Sequence, residues 1–220
     1  GGCVPKTHPR PGPAPTIKPE KIEKSIDRGV AFLLARQNAN GSWGSPRNTK
    51  GSNIYAPVPG AHHAFRVAVT SLCVSALIEA GGREPAVIKS IERGEEYLAE
   101  NLPRVKRNSP RALYNNWAHA YGLSALVDMY HRLPDNKPRR EQILKIASGQ
   151  IDLLTRFESL GGGWGYYEFD YHTQKPFAGT TSFTTATVLV ALQEAREIGV
   201  DVPQALIERS KSAIILQQNP

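Results

Sequence analysis

The residues of this chain best suited to chemistry cluster in Tyr114-Asn-Asn-Trp117-Ala-His119-Ala-Tyr121. A neutral imidazole at His119 could act as a base or bind a polar group of a ligand. A hydrogen-bonded structural histidine is the competing reading. Tyr114, Trp117, Tyr121 and the more distant Phe183 could line an apolar pocket or hold a cation over their ring faces; ordinary core packing competes for each. Thr70 and Thr185 come into register with His119 when their segments are aligned on a shared Ala-Leu pair. A second group, Glu168, Asp170 and His172, lies in Tyr166-Tyr-Glu-Phe-Asp-Tyr-His172. Alternating acids with a histidine can bind a metal or move protons, but a solvated aromatic loop is the simpler reading. His62-His63, after Tyr55-Ala-Pro-Val-Pro-Gly60, is read the same way, as part of a long loop.

Composition narrows the function classes. The 220 residues suit one large domain or a domain with a tail, and can bury a substantial core. The formal charge of +7 makes the surface basic. The basic residues are scattered beside acids, as in Arg83-Glu84, Glu92-Arg93 and Glu208-Arg209. Nucleic acid would need them on one face with stacking aromatics between, so none is expected as a partner. No run of eighteen apolar residues marks a membrane span. The two cysteines lack metal-ligand spacing, and no metal or cofactor is expected. Cys73, in Ser71-Leu-Cys-Val-Ser-Ala-Leu77, reads as a buried inert thiol. Cys3 follows Gly1-Gly2 and precedes a proline-rich run, so residues 1–18 read as a flexible tail. Small residue, cysteine, then linker resembles the join of a bacterial lipoprotein signal and its mature chain. That resemblance implies acylation of Cys3, peripheral membrane contact and export; an ordinary free thiol is the alternative.

The elements that must position these residues repeat. Ser25-Ile-Asp-Arg-Gly-Val-Ala-Phe-Leu33 matches Ser90-Ile-Glu-Arg-Gly-Glu-Glu-Tyr-Leu98; further copies read Ile146-Ala-Ser-Gly149 with Leu153 and Ile207-Glu-Arg-Ser210 with Ile214. Ile22, Ile26, Val30 and Leu33 form the stripe of a helix with one buried face. Gly29, Gly94 and Gly149 fall within these copies, where glycine costs about 1 kcal/mol against alanine, so close helix–helix approach is expected there. A more apolar series lies between the copies, with the cores Ser75-Ala76-Leu77, Ser124-Ala125-Leu126 and Val190-Ala191-Leu192. Amphipathic and buried helices thus alternate over about 19–37, 66–80, 85–101, 112–132, 138–158, 181–198 and 203–218. The expected fold is all-α in two layers, with a two-layer solenoid as the competing geometry.

The loops carry a resemblance. Gln37-Asn-Ala-Asn-Gly41-Ser-Trp43 and Phe157-Glu-Ser-Leu-Gly-Gly-Gly163-Trp164 each place a glycine turn and a tryptophan just past a helix end. Glycine ends the helix, and the indole can pack across neighbouring helices with its N–H satisfied. Gln37, Gly41 and Trp43, echoed by Gly163 and Trp164, resemble the Gln/Trp motif of squalene and other triterpene cyclases, shared more loosely with prenyltransferases and bacterial repeat proteins. Tyr114–Leu126 also resembles an inner helix of those proteins, which implies that Thr70, His119 and Thr185, near the inner-helix entrances, line a central cavity with Tyr114, Trp117, Tyr121 and Phe183. The resemblance spans residues 19–220 and implies an α/α-toroid: a partial ring of about seven helices in inner and outer layers. The last residues, Leu216 to Pro220, align with Gln37-Asn38-Ala39, so the repeat reads as broken off before another glycine–tryptophan turn.

The chemistry of that family is not visible here. There is no D-x-D-D, no D-D-x-x-D, and Ser71 stands where a prenyltransferase zinc site carries aspartate near its cysteine. The sequence therefore points to a scaffold that offers its cavity or ring edge to an apolar small molecule, a protein partner or another copy of itself. A terpenoid-cyclase-like or prenyltransferase-like enzyme with catalytic residues outside this chain is the alternative.

Overall fold

A computed structural model describes residues 17–45, 59–107, 112–168, 175–177 and 179–218. Cys3, Asp170 and His172 lie outside the described residues. Among those described the protein is all-α, with α1 (Pro19–Arg36), α2 (Pro59–Glu79), α3 (Pro85–Asn101), α4 (Asn115–Arg132), α5 (Lys137–Phe157), α6 (Ser182–Glu197) and α7 (Gln204–Leu216). A 3-10 turn, Leu102–Arg104, extends α3, and one isolated antiparallel bridge joins Ala112 to Tyr167.

Periodicity located every helix, and the largest difference is at the start of α2. The sequence places His62 and His63 in a loop, whereas α2 already begins at Pro59. Proline suits a first helical turn because its missing N–H has no intrahelical partner there and its φ is preset. His63 then lies beside the end of α3, with Nε2 3.3 Å from the carbonyl oxygen of Asn101.

The even-numbered helices form a row. α2 packs along α4, and α4 packs along α6; α3, α5 and α7 lie against α2, α4 and α6 respectively. The core fills the space between the row and these covering helices, with Leu77, Leu98, Leu102, Leu123, Leu126, Leu154, Leu192 and Leu206 all fully buried. Burying one such leucine contributes about 1.5–3 kcal/mol. The salt bridge of Arg132 to Glu95, with two contacts of 2.8 Å, ties the end of α4 to the covering helix α3. α2 is long and apolar enough to cross a bilayer by composition alone, yet it sits in the row against α3 and α4.

Among the described residues the row is covered on one side only, so its helices are not buried all round. Phe65, Val69 and Leu72 of α2 and Phe183 and Val190 of α6 remain exposed. α1 differs from the other covering helices: it has no buried residue, and Ile22, Ile26 and Phe32 face solvent.

Candidate functional site

The two glycine–tryptophan turns hold their tryptophans by the same bonds. The Trp43 indole N–H donates to the carbonyl oxygen of Leu33 at 2.8 Å, and the Trp164 indole N–H to that of Leu154 at 2.8 Å. Each leucine stands in the last turn of its helix, where carbonyls lack intrahelical partners, so the indole caps the helix. The backbone N–H groups of Trp43 and Trp164 donate to the Thr70 and Thr185 hydroxyls, both at 3.0 Å. Both threonines are fully buried on the covered side of the row. They anchor the turns instead of lining a cavity.

These bonds fix the register of the repeat. Gly41 (φ +85°) and Gly162 (φ +86°) are counterparts, and a Cβ on either would run into the backbone carbonyl of the next covering helix, at Arg93 and Arg209 respectively. Gly163 (φ +74°) instead takes the place of Ser42 and faces Thr185 and Ala213. Gln37, six residues before Trp43, donates to the carbonyl oxygens of Gly41 and Ser90 and accepts from the Ser90 hydroxyl. Glu158 occupies the same position before Trp164; it is buried, bound by Arg209 through two contacts of 2.8 Å and by Lys175 at 3.0 Å. Since Leu33 answers Leu154, the third copy is displaced by one residue from its sequence alignment. Gln150, not Gly149, is the counterpart of Gly94. Gly94 is tightly packed beneath Val74 and the Trp43 ring, as a close approach requires, whereas Gly29 and Gly149 have open space where a Cβ would stand.

His119 sits in the register of Thr70 and Thr185, but its sequence carries no glycine–tryptophan turn ahead of α4. It is fully buried, its Nδ1 lies 2.8 Å from Oε1 of Gln150, and its ring stacks on Phe157 at 6.0 Å. The Gln150 oxygen requires the proton on Nδ1, which leaves Nε2 as an acceptor, and Nε2 has no partner among the described residues. Burial lowers the His119 pKa to about 4, against the opposing hydrogen bond to Gln150, so the ring is neutral at pH 7. His119 belongs to the core between α4 and α5, where its imidazole and Gln150 meet in the space that Gly94 leaves for an indole.

The remaining candidates come together on the uncovered side. Trp117 stacks on Tyr121 at 5.6 Å and on Phe183 at 5.9 Å, with rings within 16° and 18° of parallel. Phe183 continues to Tyr166, Tyr166 to Tyr167, Tyr167 to Tyr114 and Tyr114 to Phe65, each ring centre within 5.9 Å of the next. Seven aromatic rings thus run unbroken from α2 across α4 to α6. The Tyr114 hydroxyl donates to that of Tyr167 at 2.9 Å, and Asn116 Nδ2 holds the Gly165 carbonyl, which pins the loop across the helix ends. Phe183 is 53% exposed, while Trp117 and Tyr121 are half-buried. Further along α4, on the stripe of Trp117 and Tyr121, lie Ser124 and Asp128. Ser124 donates to Glu194 at 2.6 Å, and Ser75 bonds to Asp128. Burial raises the Asp128 carboxyl above its ordinary value, with Ser75 opposing.

Phe65, Tyr166, Tyr167 and Asp128 were missed in the sequence. Tyr166 and Tyr167 stand beside the acids singled out there, and their place in the array comes from loop packing that no periodicity encodes. Glu168, from that acidic loop, is buried and accepts from the Phe177 N–H at 2.7 Å. Cys73 is partly buried where the sequence reading has it buried, and desolvation still pushes its thiol up to about 11, as an inert thiol requires. Among the described residues no three His, Cys, Asp or Glu side chains gather as a metal site.

No family model matches this chain, and no curated protein or solved structure is significantly similar to it. The functional reading rests on the site.

Proposed function

We propose that this chain is an arc of an α/α-toroid whose uncovered aromatic face binds an elongated apolar or aromatic ligand. The observation that carries the reading is the seven-ring array, because a row of touching rings, all but Tyr114 at least partly exposed, contributes large apolar area with little rotamer entropy to lose on binding. Alternation of row and covering helices, and the shared bonds of the two tryptophan turns, support the toroid geometry. In that geometry the aromatic face is the concave wall, and the exposed α2 and α6 flanks are edges for a protein partner or a further repeat.

Trp117 supplies the test, since Trp43 and Trp164 are buried and Trp117 is the accessible indole of the three. Titration with an apolar dye such as anilinonaphthalene sulfonate is expected to change Trp117 emission saturably. Trp117→Ala with Phe183→Ala should weaken dye binding about tenfold or more. Unchanged affinity in that double variant would refute the aromatic face as the site.

A terpenoid-cyclase-like enzyme is the second reading, favoured by Asp128. A carboxyl whose pKa is raised, on the stripe of two aromatic residues, has the character of a general acid. Turnover of an isoprenoid substrate that is lost in Asp128→Asn would favour it over simple binding.

A further inference from the structure

The face that carries the rings is also sorted by charge. The uncovered stripes of α2, α4 and α6 step by four and three residues, from Phe65, Trp117 and Phe183 at one end to Glu79, His131 and Glu197 at the other. No lysine or arginine falls on any of the three stripes, in a chain whose formal charge is +7. The rings stand at the first end, where Phe65 meets Tyr114 and Trp117 meets Phe183. The second end is acidic.

The acids there belong to the repeat. Alignment on Ala76-Leu77, Ala125-Leu126 and Ala191-Leu192 puts Glu79, Asp128 and Glu194 at one position. Ser75 and Ser124 are counterparts in the same alignment, and each holds the acid of the next helix. Ser75 bonds to Asp128, and Ser124 donates to Glu194 at 2.6 Å. The row therefore presents one carboxylate per helix, two of them oriented by serine. The buried Glu95 and Glu158, by contrast, are paired with Arg132 and with Arg209 and Lys175 respectively. Glu79, Asp128 and Glu194 form no salt bridge among the described residues. Burial first, and the charge of Glu79 after it, raise the Asp128 carboxyl, so a cation settling beside it would relieve a real repulsion.

Rings and acids are one ligand apart. Tyr121 precedes Asp128 by seven residues on α4, about 10 Å along the helix. Exposed Leu72 and Val190 flank that stretch from α2 and α6. We infer that the apolar ligand of this face carries an ammonium group, seated at Asp128 between Glu79 and Glu194, with its body running back over Tyr121 towards Trp117. The inference rests on the reading of the aromatic face as a binding surface. It adds the head group, which charge complementarity selects.

The test is titration of the full chain with octylammonium, octanol and octanoate, which share a tail and differ in the head. Trp117 emission reads the tail, and amide NMR shifts at Asp128 and Glu194 read the head. Octylammonium is expected to bind at least about fivefold more tightly than octanol, and octanoate most weakly. Attraction to the net charge of +7 alone would favour octanoate instead. Asp128→Asn with Glu194→Gln should bring the ammonium and the alcohol within about twofold of each other. Octylammonium binding no tighter than octanol, or a preference that persists in the folded double variant, would overturn the inference and leave the aromatic face standing. Binding by none of the three would overturn both. Should the double variant fail to fold, salt decides on the wild type: at about 1 M, where charges are screened beyond about 3 Å, the ammonium preference should vanish.

Discussion

His119 shows how far a residue's type lies from its role. Its aromatic neighbours in sequence face the uncovered side of the row, while the imidazole turns to the covered side and meets Gln150. Protonation would place a second N–H at Nε2, where no acceptor stands among the described residues. The folded-state pKa of about 4 lies below the ordinary 6.5, so the neutral ring's stabilising contribution is fully present above pH 6.5. It is lost as pH falls from 6.5 through about 4, and a shift of this size is worth about 3 kcal/mol. Asp128 carries the opposite sign: its raised carboxyl adds stability as pH falls through its folded-state pKa. The difference between wild type and His119→Gln isolates the histidine. Unfolding free energies from urea denaturation at pH 7 and pH 4.5 should converge in the variant by most of that amount; an unchanged pH dependence would refute the assignment.

At the scale of elements, the tryptophan turns are the units that join one hairpin to the next covering helix. Their glycines are irreplaceable for two reasons that act together. The left-handed φ near +85° costs an L-residue about 1–2 kcal/mol, and the new Cβ would meet a backbone carbonyl that cannot swing aside. Gly41→Ala and Gly162→Ala are each expected to cost more than about 2 kcal/mol in chemical denaturation. Ala at Gly29, helical with open space around it, should stabilise by about 0.5–1 kcal/mol. Equal effects at Gly41 and Gly29 would contradict the turn's role. The Gln, Gly and Trp spacing made these turns legible, since cap chemistry is local. The pairing of Gly41 with Gly162 was not, because three consecutive glycines hide which one touches the next helix. Nor was the one-residue displacement of the third copy, since Gly149 and Gln150 differ by a direction around the helix that only the indole bonds to Leu33 and Leu154 reveal.

Across the whole molecule, helical periodicity predicts the elements well because each apolar stripe needs its own covered side. It says nothing of how many neighbours a helix has. α2 and α6 are as apolar as central helices yet stand at the ends of the row, so part of that apolar surface is exposed. α1 has an amphipathic stripe as clear as that of α3, but only Val30, Leu33 and Leu34 of it reach the core, and partly. Its anchor is at its end, through Trp43 and Gln37. Stability should therefore be graded along the chain, lowest at the N-terminal part of α1 and highest in α4, which has neighbours on three sides and eleven buried residues. Amide hydrogen exchange reads this gradient directly, because opening of a segment with few buried contacts needs little free energy. Amides of residues 22–29 should exchange orders of magnitude faster than those of residues 118–127. Trp43→Phe, which removes the indole cap but keeps a ring, should extend fast exchange to the last turns of α1 while leaving α4 protected. If α1 and α4 instead exchanged at one common rate in the wild type, the chain would open as a single unit. The hairpins would then be held by more than the contacts between neighbours.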